Sequence, residues 1–495
     1  MKNLAVIIPM AGYGQRFKHA GYDDYKPFIK IKDKYMIDLA LEPYPKEVKK
    51  YLIVNPDLLI NDELNYLKNI ENVEVLEIEG HKNGPSYSIY LVKDKLPKNY
   101  SYFISYVDIY WTWNFDDVKI KLDYQGIIFT RRQFHPHLFK NNFSAFCKPK
   151  GNNLNLLLEI KEKGSFTEDH MNEPLSVGTF YFKSGSDMLD VIEKQITNNK
   201  RVASEFYPSE IFNELLNQNI EVYLYDVDFF IHFGLPEQLN DFNHWSVVMN
   251  HKPIRTEIKN ICIMGGLGKR MKVLSNEPKA LIKFRNLPMF EYVLSEFGSD
   301  DNIIVTTNDI VSQLPVPKIN YSIINIGKQT NAQIETITNA VNDIKQHDNF
   351  FMISCDAFGI FDNNKLKEFI KKNNPDCIIF TFTPTLMQIK MAGHHTHVST
   401  NDDLITEVHI KSKSSDEDKG LGGFFWFKTG KIFDEVKNIP NDLENEQIAD
   451  HFLKHLVNKG YIILGYHLDN YCHIGTVPEF REFKFWENYT KVLLD

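Results

Sequence analysis

Apolar residues along this chain gather in short, unbroken runs separated by polar stretches. "LAVIIPM" from Leu4, "KYLIVN" from Lys50, "YFISYVD" from Tyr102, "GIIFT" from Gly126 and "EVYLYDV" from Glu221 are rich in β-branched and aromatic residues. Such runs predict strands buried on both faces. Between them, "SDMLDVIEKQI" from Ser186, "SEIFNELLNQ" from Ser209 and "NNKLKEFIKK" from Asn363 space their apolar residues as amphipathic helices do. Strands alternating with helices predict an α/β fold with a mostly parallel central sheet flanked by helices. Ligands of such sheets bind beyond the carboxyl ends of the strands.

The pattern occurs twice. Met10-Ala11-Gly12-Tyr13-Gly14-Gln15-Arg16 is matched by Met264-Gly265-Gly266-Leu267-Gly268-Lys269-Arg270. "KPFIKI" from Lys26 is matched by "KALIKF" from Lys279, and "YFISYVD" ending at Asp108 by "FFMISCD" ending at Asp356. "EIKEK" at Glu159 pairs with "HIKSK" at His409, "SVGTFYF" with "GLGGFFWF", and "DFFIHFGLPEQL" with "DNYCHIGTVPEF". Matches in one order at a domain-sized period predict two homologous domains, residues 1–250 and 257–495, joined near "MNHKPIRTEIKN".

Length agrees, since 495 residues exceed one ordinary core. A net charge of -9 argues against a nucleic-acid coat and against an anionic membrane surface. Five scattered cysteines form neither a disulfide framework nor a zinc spacing, which fits a reducing compartment. The first residues read as a strand rather than a leader, and no run is long enough to span a bilayer, so a cytoplasmic protein is expected.

Gly12 and Gly14 would let backbone N–H groups approach a phosphate, and Arg16 would add a bidentate charge. Neither copy completes G-x-G-x-x-G or the Walker pattern, which disfavours a nicotinamide enzyme and a P-loop ATPase. Lys26 precedes Pro27 and is expected at the stiff entrance of a strand, "FIKI".

G-x-G-x-R-[FM], then K-P or P-K opening an apolar run, resembles the nucleotidyltransferase signature. That family includes the sugar-1-phosphate pyrophosphorylases and the phosphocholine-type cytidylyltransferases. The resemblance implies a Rossmann-like domain in each half, a divalent ion (Mg²⁺ or Mn²⁺), and transfer of NMP from an NTP to a phosphorylated acceptor with release of pyrophosphate. It places Ala11, Gly12 and Gly14 around the nucleotide, with Arg16 and Lys26 neutralising the triphosphate. Gly84 and Ser86 would border the base, and Asp108 would hold the metal. Glu162, Lys163 and Gly178 fall on the acceptor side. The second-half counterparts are Gly265, Gly266, Gly268, Arg270, Lys279, Asn331, Asp356, Lys413 and Gly423, with Ser412 in place of the glutamate.

Where sugar-nucleotide enzymes usually carry a second metal aspartate before a Gly-Thr turn, this chain has His232 and His473. Either these histidines contribute, or Asp228 and Asp469 four residues earlier supply the oxygen, which would need a bend in the strand. No general base is required, because the attacking phosphate oxygen is already ionised.

Other features carry milder expectations. "GHHTH" from Gly393 is read as an exposed loop or a transition-metal site, "KSKSSDEDKG" from Lys411 as a solvated loop or a lid, and Trp111 and Trp113 as core or acceptor wall. The chain is expected to make activated sugars or alcohol phosphates for surface polysaccharide, as a possible homo-oligomer that binds neither nucleic acid nor membrane. Both halves are expected to bind an NTP, with different acceptors or bases. The alternatives are one active half beside a degenerate scaffold half, a nucleotide-sugar-dependent glycosyltransferase, and a non-catalytic nucleotide sensor.

Overall fold

A computed structural model describes residues 3–140, 144–266, 268–391, 395–415, 417–439 and 448–494. The chain divides into two compact units, Met1–Asn240 and Asp241–Asp495, the division falling inside helix Pro236–Asn250.

The first unit is built on β1 (Leu4–Pro9), β2 (Lys49–Val54), β3 (Val73–Glu77), β4 (Ser101–Ser105), β5 (Gly126–Arg131), β6 (Phe146–Lys150), β7 (Asn153–Lys161), β8 (Leu175–Phe182) and β9 (Val222–Asp226). They form one sheet in the order β3-β2-β1-β4-β8-β5-β9-β7-β6. The sheet is mixed. β3, β2, β1 and β4 run parallel, and β8 enters antiparallel between β4 and β5.

The unbroken apolar run of β1 follows from burial on both faces. Leu4, Val6 and Ile8 join one core cluster while Ala5 and Ile7 join the other, the alternation of a pleated strand. Each fully buried aliphatic side chain contributes about 1.5–3 kcal/mol, so a polar residue in this run would unseat the central strand.

The second unit has β10 (Lys259–Ile263), β11 (Asn302–Thr306), β12 (Ser322–Asn325), β13 (Asp348–Ser354), β14 (Cys377–Phe382), β15 (His397–Asn401), β16 (Leu404–His409), β17 (Lys419–Thr429) and β18 (Ile463–Leu468). Their order, β12-β11-β10-β13-β17-β14-β18-β16-β15, is the first order with each strand advanced by nine. Parallel and antiparallel pairings correspond as well.

Beside each sheet lies a two-stranded ribbon, Ile109–Thr112 with Phe229–His232 in one unit and Ala357–Ile360 with Asn470–His473 in the other. These ribbons bring residues distant in sequence to the carboxyl edge of the central strands. Among the described residues no helix is long and apolar enough to cross a membrane.

Candidate functional site

In the first unit β1 and β4 are parallel neighbours, so the loops that follow them emerge side by side. After β1 the chain turns through Gly12 and Gly14 into helix Gln15–His19. Gly14 has φ 60°, and a Cβ there would stand 3.3 Å from Lys26 Cβ. Only glycine takes this conformation readily, and it folds the loop over the lysine. Gly12 faces open space.

Lys26 opens a single 3-10 turn, Lys26–Phe28, rather than the strand expected from the sequence; the strand there is only Lys30–Ile31. Pro27 in that turn fixes φ, and the lysine reaches across to the loop that follows β4. Its Nζ donates to Asp108 Oδ2 at 2.6 Å, with both side chains mostly buried.

The ribbon completes the site. His232 pairs with Ile109, and the Phe233 amide donates to the Asp108 carbonyl at 2.7 Å. His232 Nε2 thereby lies 3.7 Å from Asp108 Oδ2. A Cβ on Gly234 would come within 3.0 Å of that same oxygen, so glycine is required at this approach. The register also disposes of Asp228. It sits at the far end of the ribbon opposite Thr112, exposed and outside the cleft, and no bend brings it back. Asp469 is likewise exposed at the far end of the second ribbon.

Burial works to raise the Asp108 pKa, but Lys26 and His232 outweigh it and bring the carboxyl down to about 2. Burial, with Lys26 and His137, lowers the His232 pKa against the pull of Asp108. The pair at neutral pH is a carboxylate beside a neutral imidazole.

Around it opens a cleft of about 880 Å³ lined by Gly12, Gly14, Arg16, Lys26, Asp108, Glu162, Lys163, Gly178 and His232. Glu162 accepts from Ser209 Oγ at 2.6 Å, and burial pushes its carboxyl up to about 7. Lys163 lies 4.8 Å over the Tyr207 ring and 3.8 Å from Glu205. Gly178, at φ 87°, leaves room for the Tyr106 ring beneath it.

Three residues expected at the nucleotide lie behind the wall. Ala11 and Ser86 are buried, and Gly84 packs on the Phe206 backbone, where a Cβ would stand at 2.8 Å. Trp111 is core. Sequence reasoning missed His135 and His137, which line the cleft. Their signal was "FHPHLF" at the carboxyl end of a predicted strand.

The second unit repeats the frame. Gly268 has φ 56° beside Lys279, whose Nζ donates to Asp356 Oδ2 at 2.6 Å. Gly265 packs against Thr330 and Thr336, and Gly266 faces open space. The Asn331 amide donates to Glu335 at an exposed turn outside the cleft.

The histidine differs. His473 Nε2 lies 3.3 Å from Asp356 Oδ2 and its Nδ1 lies 2.6 Å from Glu479 Oε2. Thr476 Oγ1 also donates to Glu479, at 2.6 Å, and His395 Nε2 is 3.1 Å from its other oxygen. Burial works to lower the His473 pKa, but Glu479 and Asp356 prevail and carry it up to about 10. His395 thus belongs to a buried polar cluster and not to an exposed loop; Gly393 and His394 of the same motif lie outside the described residues. Asp418 of the neighbouring loop is also tied down, accepting from Ser399, Ser414 and Ser415. The cleft here is about 120 Å³, lined by Arg270, Lys279, Asp356, Lys411, Gly423, Asp450 and His473 among others.

Strand register corrects one equivalence. Leu156 faces Tyr223 in the first sheet as Leu404 faces Leu464 in the second. Counting on from there, Lys163 corresponds to Lys411 and Glu162 to Ile410. Both lysines have positive φ, 54° and 48°, and both line their clefts. Lys413 is exposed and outside, so the match of "EIKEK" with "HIKSK" was two residues out of step.

Among the described residues no group of three or more His, Cys, Asp or Glu forms a ready metal cage. Mg²⁺ commonly takes only one or two protein ligands, the rest coming from phosphates and water. Asp108 with neutral His232 fits that requirement. Asp356 with His473 does not, because both imidazole nitrogens already face carboxylates.

Residues 261–381 match the family model described as a MobA-like NTP transferase domain. No curated protein sequence matches the chain. Similar solved structures include a nucleoside-diphosphate-sugar pyrophosphorylase from Vibrio cholerae RC9, at 17% identity over 48% of this chain and 98% of that one, with TM-score 0.41. An inositol-1-phosphate CTP transferase from T. maritima aligns at 14% identity over 48% and 98%, with TM-score 0.38. A CTP:phosphocholine cytidylyltransferase from Streptococcus pneumoniae aligns at 14% over 48% and 97%, with TM-score 0.36. The segment matched by the family model contains Arg270, Lys279 and Asp356 and ends before His395, Lys411, His473 and Glu479.

Proposed function

We propose that the chain is a nucleotidyltransferase built from two copies of one domain. The first copy transfers NMP from an NTP to a sugar phosphate or similar phosphorylated acceptor, releasing pyrophosphate, in the supply of surface polysaccharide precursors. The observation that carries this reading is the Lys26–Asp108 pair beneath an open glycine loop, with Arg16, in a cleft large enough for a nucleotide. The family match to residues 261–381 supports it through the strand order that both units share.

An acceptor phosphate oxygen attacks the α-phosphorus, and the bond from that phosphorus to the bridging oxygen breaks. Both partners are anions, so their repulsion must be offset first. Arg16 and Lys26 hold the β- and γ-phosphates and favour the departing pyrophosphate. The Gly12–Gly14 backbone steadies the triphosphate, and Lys163 with Glu162 orients the acceptor. Asp108 and His232 would hold Mg²⁺ or Mn²⁺, which supplies positive charge at the α-phosphate when bound.

The test is a screen of the four common NTPs against a panel of sugar and polyol phosphates. Pyrophosphate should appear only when a divalent ion and a phosphorylated acceptor are both present. Consumption of a nucleotide-sugar with release of free NDP would instead make the protein a glycosyltransferase.

A further inference from the structure

The second unit keeps the arginine and the lysines of the first and ties up the histidine that would face an ion. Three substitutions at matching positions do this. Glu479 stands where the first unit has Gln238, six residues after the histidine, and it occupies His473 Nδ1 at 2.6 Å. Thr476, where the first unit has Leu235, anchors that carboxylate. His395, at the position of Ser144 by the ladders of β6 and β15, reaches its other oxygen at 3.1 Å. His473 Nε2 faces Asp356 at 3.3 Å, so neither ring nitrogen offers a lone pair to an incoming ion. Lys279 lies on the same Asp356 oxygen.

The acceptor-side glutamate is gone as well: Ile410, packed against the core, stands in the place of Glu162. What remains is about 120 Å³, against 880 Å³ in the first unit. That lies below the ~300–1,000 Å³ of an ordinary small-molecule pocket and is on the scale of one or two phosphate groups. Arg270, Lys279 and Lys411 line this space against Asp356 and Asp450.

We propose that the cleft of residues 241–495 is a metal-independent site for a small phosphate-class anion, inorganic pyrophosphate or orthophosphate. An arginine and two lysines lining one small cleft suit such a ligand, since their charge does not depend on recruiting an ion. The proposal does not require the first unit to be active.

Calorimetric titration of the full chain in EDTA tests it, with sodium pyrophosphate and sodium orthophosphate in separate arms. Titrations are made in the Lys26→Ala background, which weakens pyrophosphate binding by the first unit; binding is expected to persist there in EDTA and to weaken at least tenfold when Arg270→Ala or Lys411→Ala is added. Neither of the latter side chains is in the core, so those variants should fold; circular dichroism checks this. The tighter of the two anions names the ligand. Failure of both to bind, binding that needs Mg²⁺, or binding in the Lys26→Ala background that Arg270→Ala and Lys411→Ala leave unchanged would overturn the assignment. Counting Mn²⁺ by electron paramagnetic resonance is a second measurement. One ion per chain, lost in Asp108→Asn, is expected; a second ion lost in Asp356→Asn would also overturn it.

Discussion

The clefts beside Asp108 and Asp356 share a lysine at the same 2.6 Å from the aspartate, a glycine loop with a left-handed turn, and an arginine two residues further on. They part at the histidine. His232 has Gln238 for a neighbour and a pKa lowered first by burial; His473 has Glu479 and a pKa carried up to about 10. An amide and a carboxylate of the same size therefore set opposite charges on a matching ring. The comparison teaches that a shared lysine, arginine and glycine turn need not come with the same ionisation at the neighbouring histidine. The second carboxylate, Glu479, acting with Asp356 is what makes the difference.

The largest effect should separate the lysines. Lys26→Ala is expected to lower pyrophosphate release by about 10²–10³-fold, the usual loss when one preorganised charge is removed from a transition state. Lys279→Ala should cost less than tenfold in the same assay. Equal losses would erase the distinction between the clefts and restore two working sites.

Stability should change next. Glu479 is buried, and breaking a buried ion pair by removing one partner costs about 3–5 kcal/mol. Glu479→Gln should therefore destabilise the second unit by about that much in urea unfolding. The linkage adds a direction. The folded pKa of His473 lies above its ordinary value of 6.5, so its stabilisation is complete below pH 6.5 and fades as pH rises through about 10. A variant that unfolds with unchanged alkaline sensitivity would mean that His473 does not carry the charge.

The reciprocal change is gentler. Gln238→Glu should raise the His232 pKa, read by NMR of the ring nitrogens, and about 1.4 kcal/mol accompanies each unit gained. It should also weaken Mn²⁺ binding, since a protonated ring cannot ligate. If His232 titrates as before, the neighbour at that position is not what distinguishes the rings.

The frame was legible in the sequence because its signals are local. Apolar runs marked β1, β2, β4, β5 and β9, and the repeated glycine loop with Lys and Asp marked both clefts. The rest depended on distances that sequence spacing does not encode. Asp228 looked usable until ribbon register placed it at the far end from Asp108. Lys413 looked equivalent to Lys163 because "EIKEK" and "HIKSK" read alike, whereas β-ladder register selects Lys411. Gly84 and Ser86 have the composition of a binding loop, yet they pack under Phe206. Glu479 lay in plain view, but its meaning rests on a 2.6 Å contact across a helix start.

The smallest effect concerns Glu162 and its counterpart Ile410. Burial, opposed by Ser209 and Lys163, lifts the Glu162 carboxyl from the ordinary 4.5 to about 7. A carboxyl that holds its proton more tightly when folded favours the native state at low pH, where both states are protonated, and loses that advantage as pH climbs from about 4.5 to 7. The first unit should thus lose stability across that window, by about 1–2 kcal/mol once partial exposure is allowed for. Glu162→Gln should flatten this part of the profile, while Ile410→Ala in the second unit should shift stability equally at every pH. The measurement is urea unfolding at pH 5 and pH 7.5 for each protein. A slope that persists in Glu162→Gln would assign the titration to another group, and the acceptor side of the first cleft would then hold an ordinary ionised carboxylate.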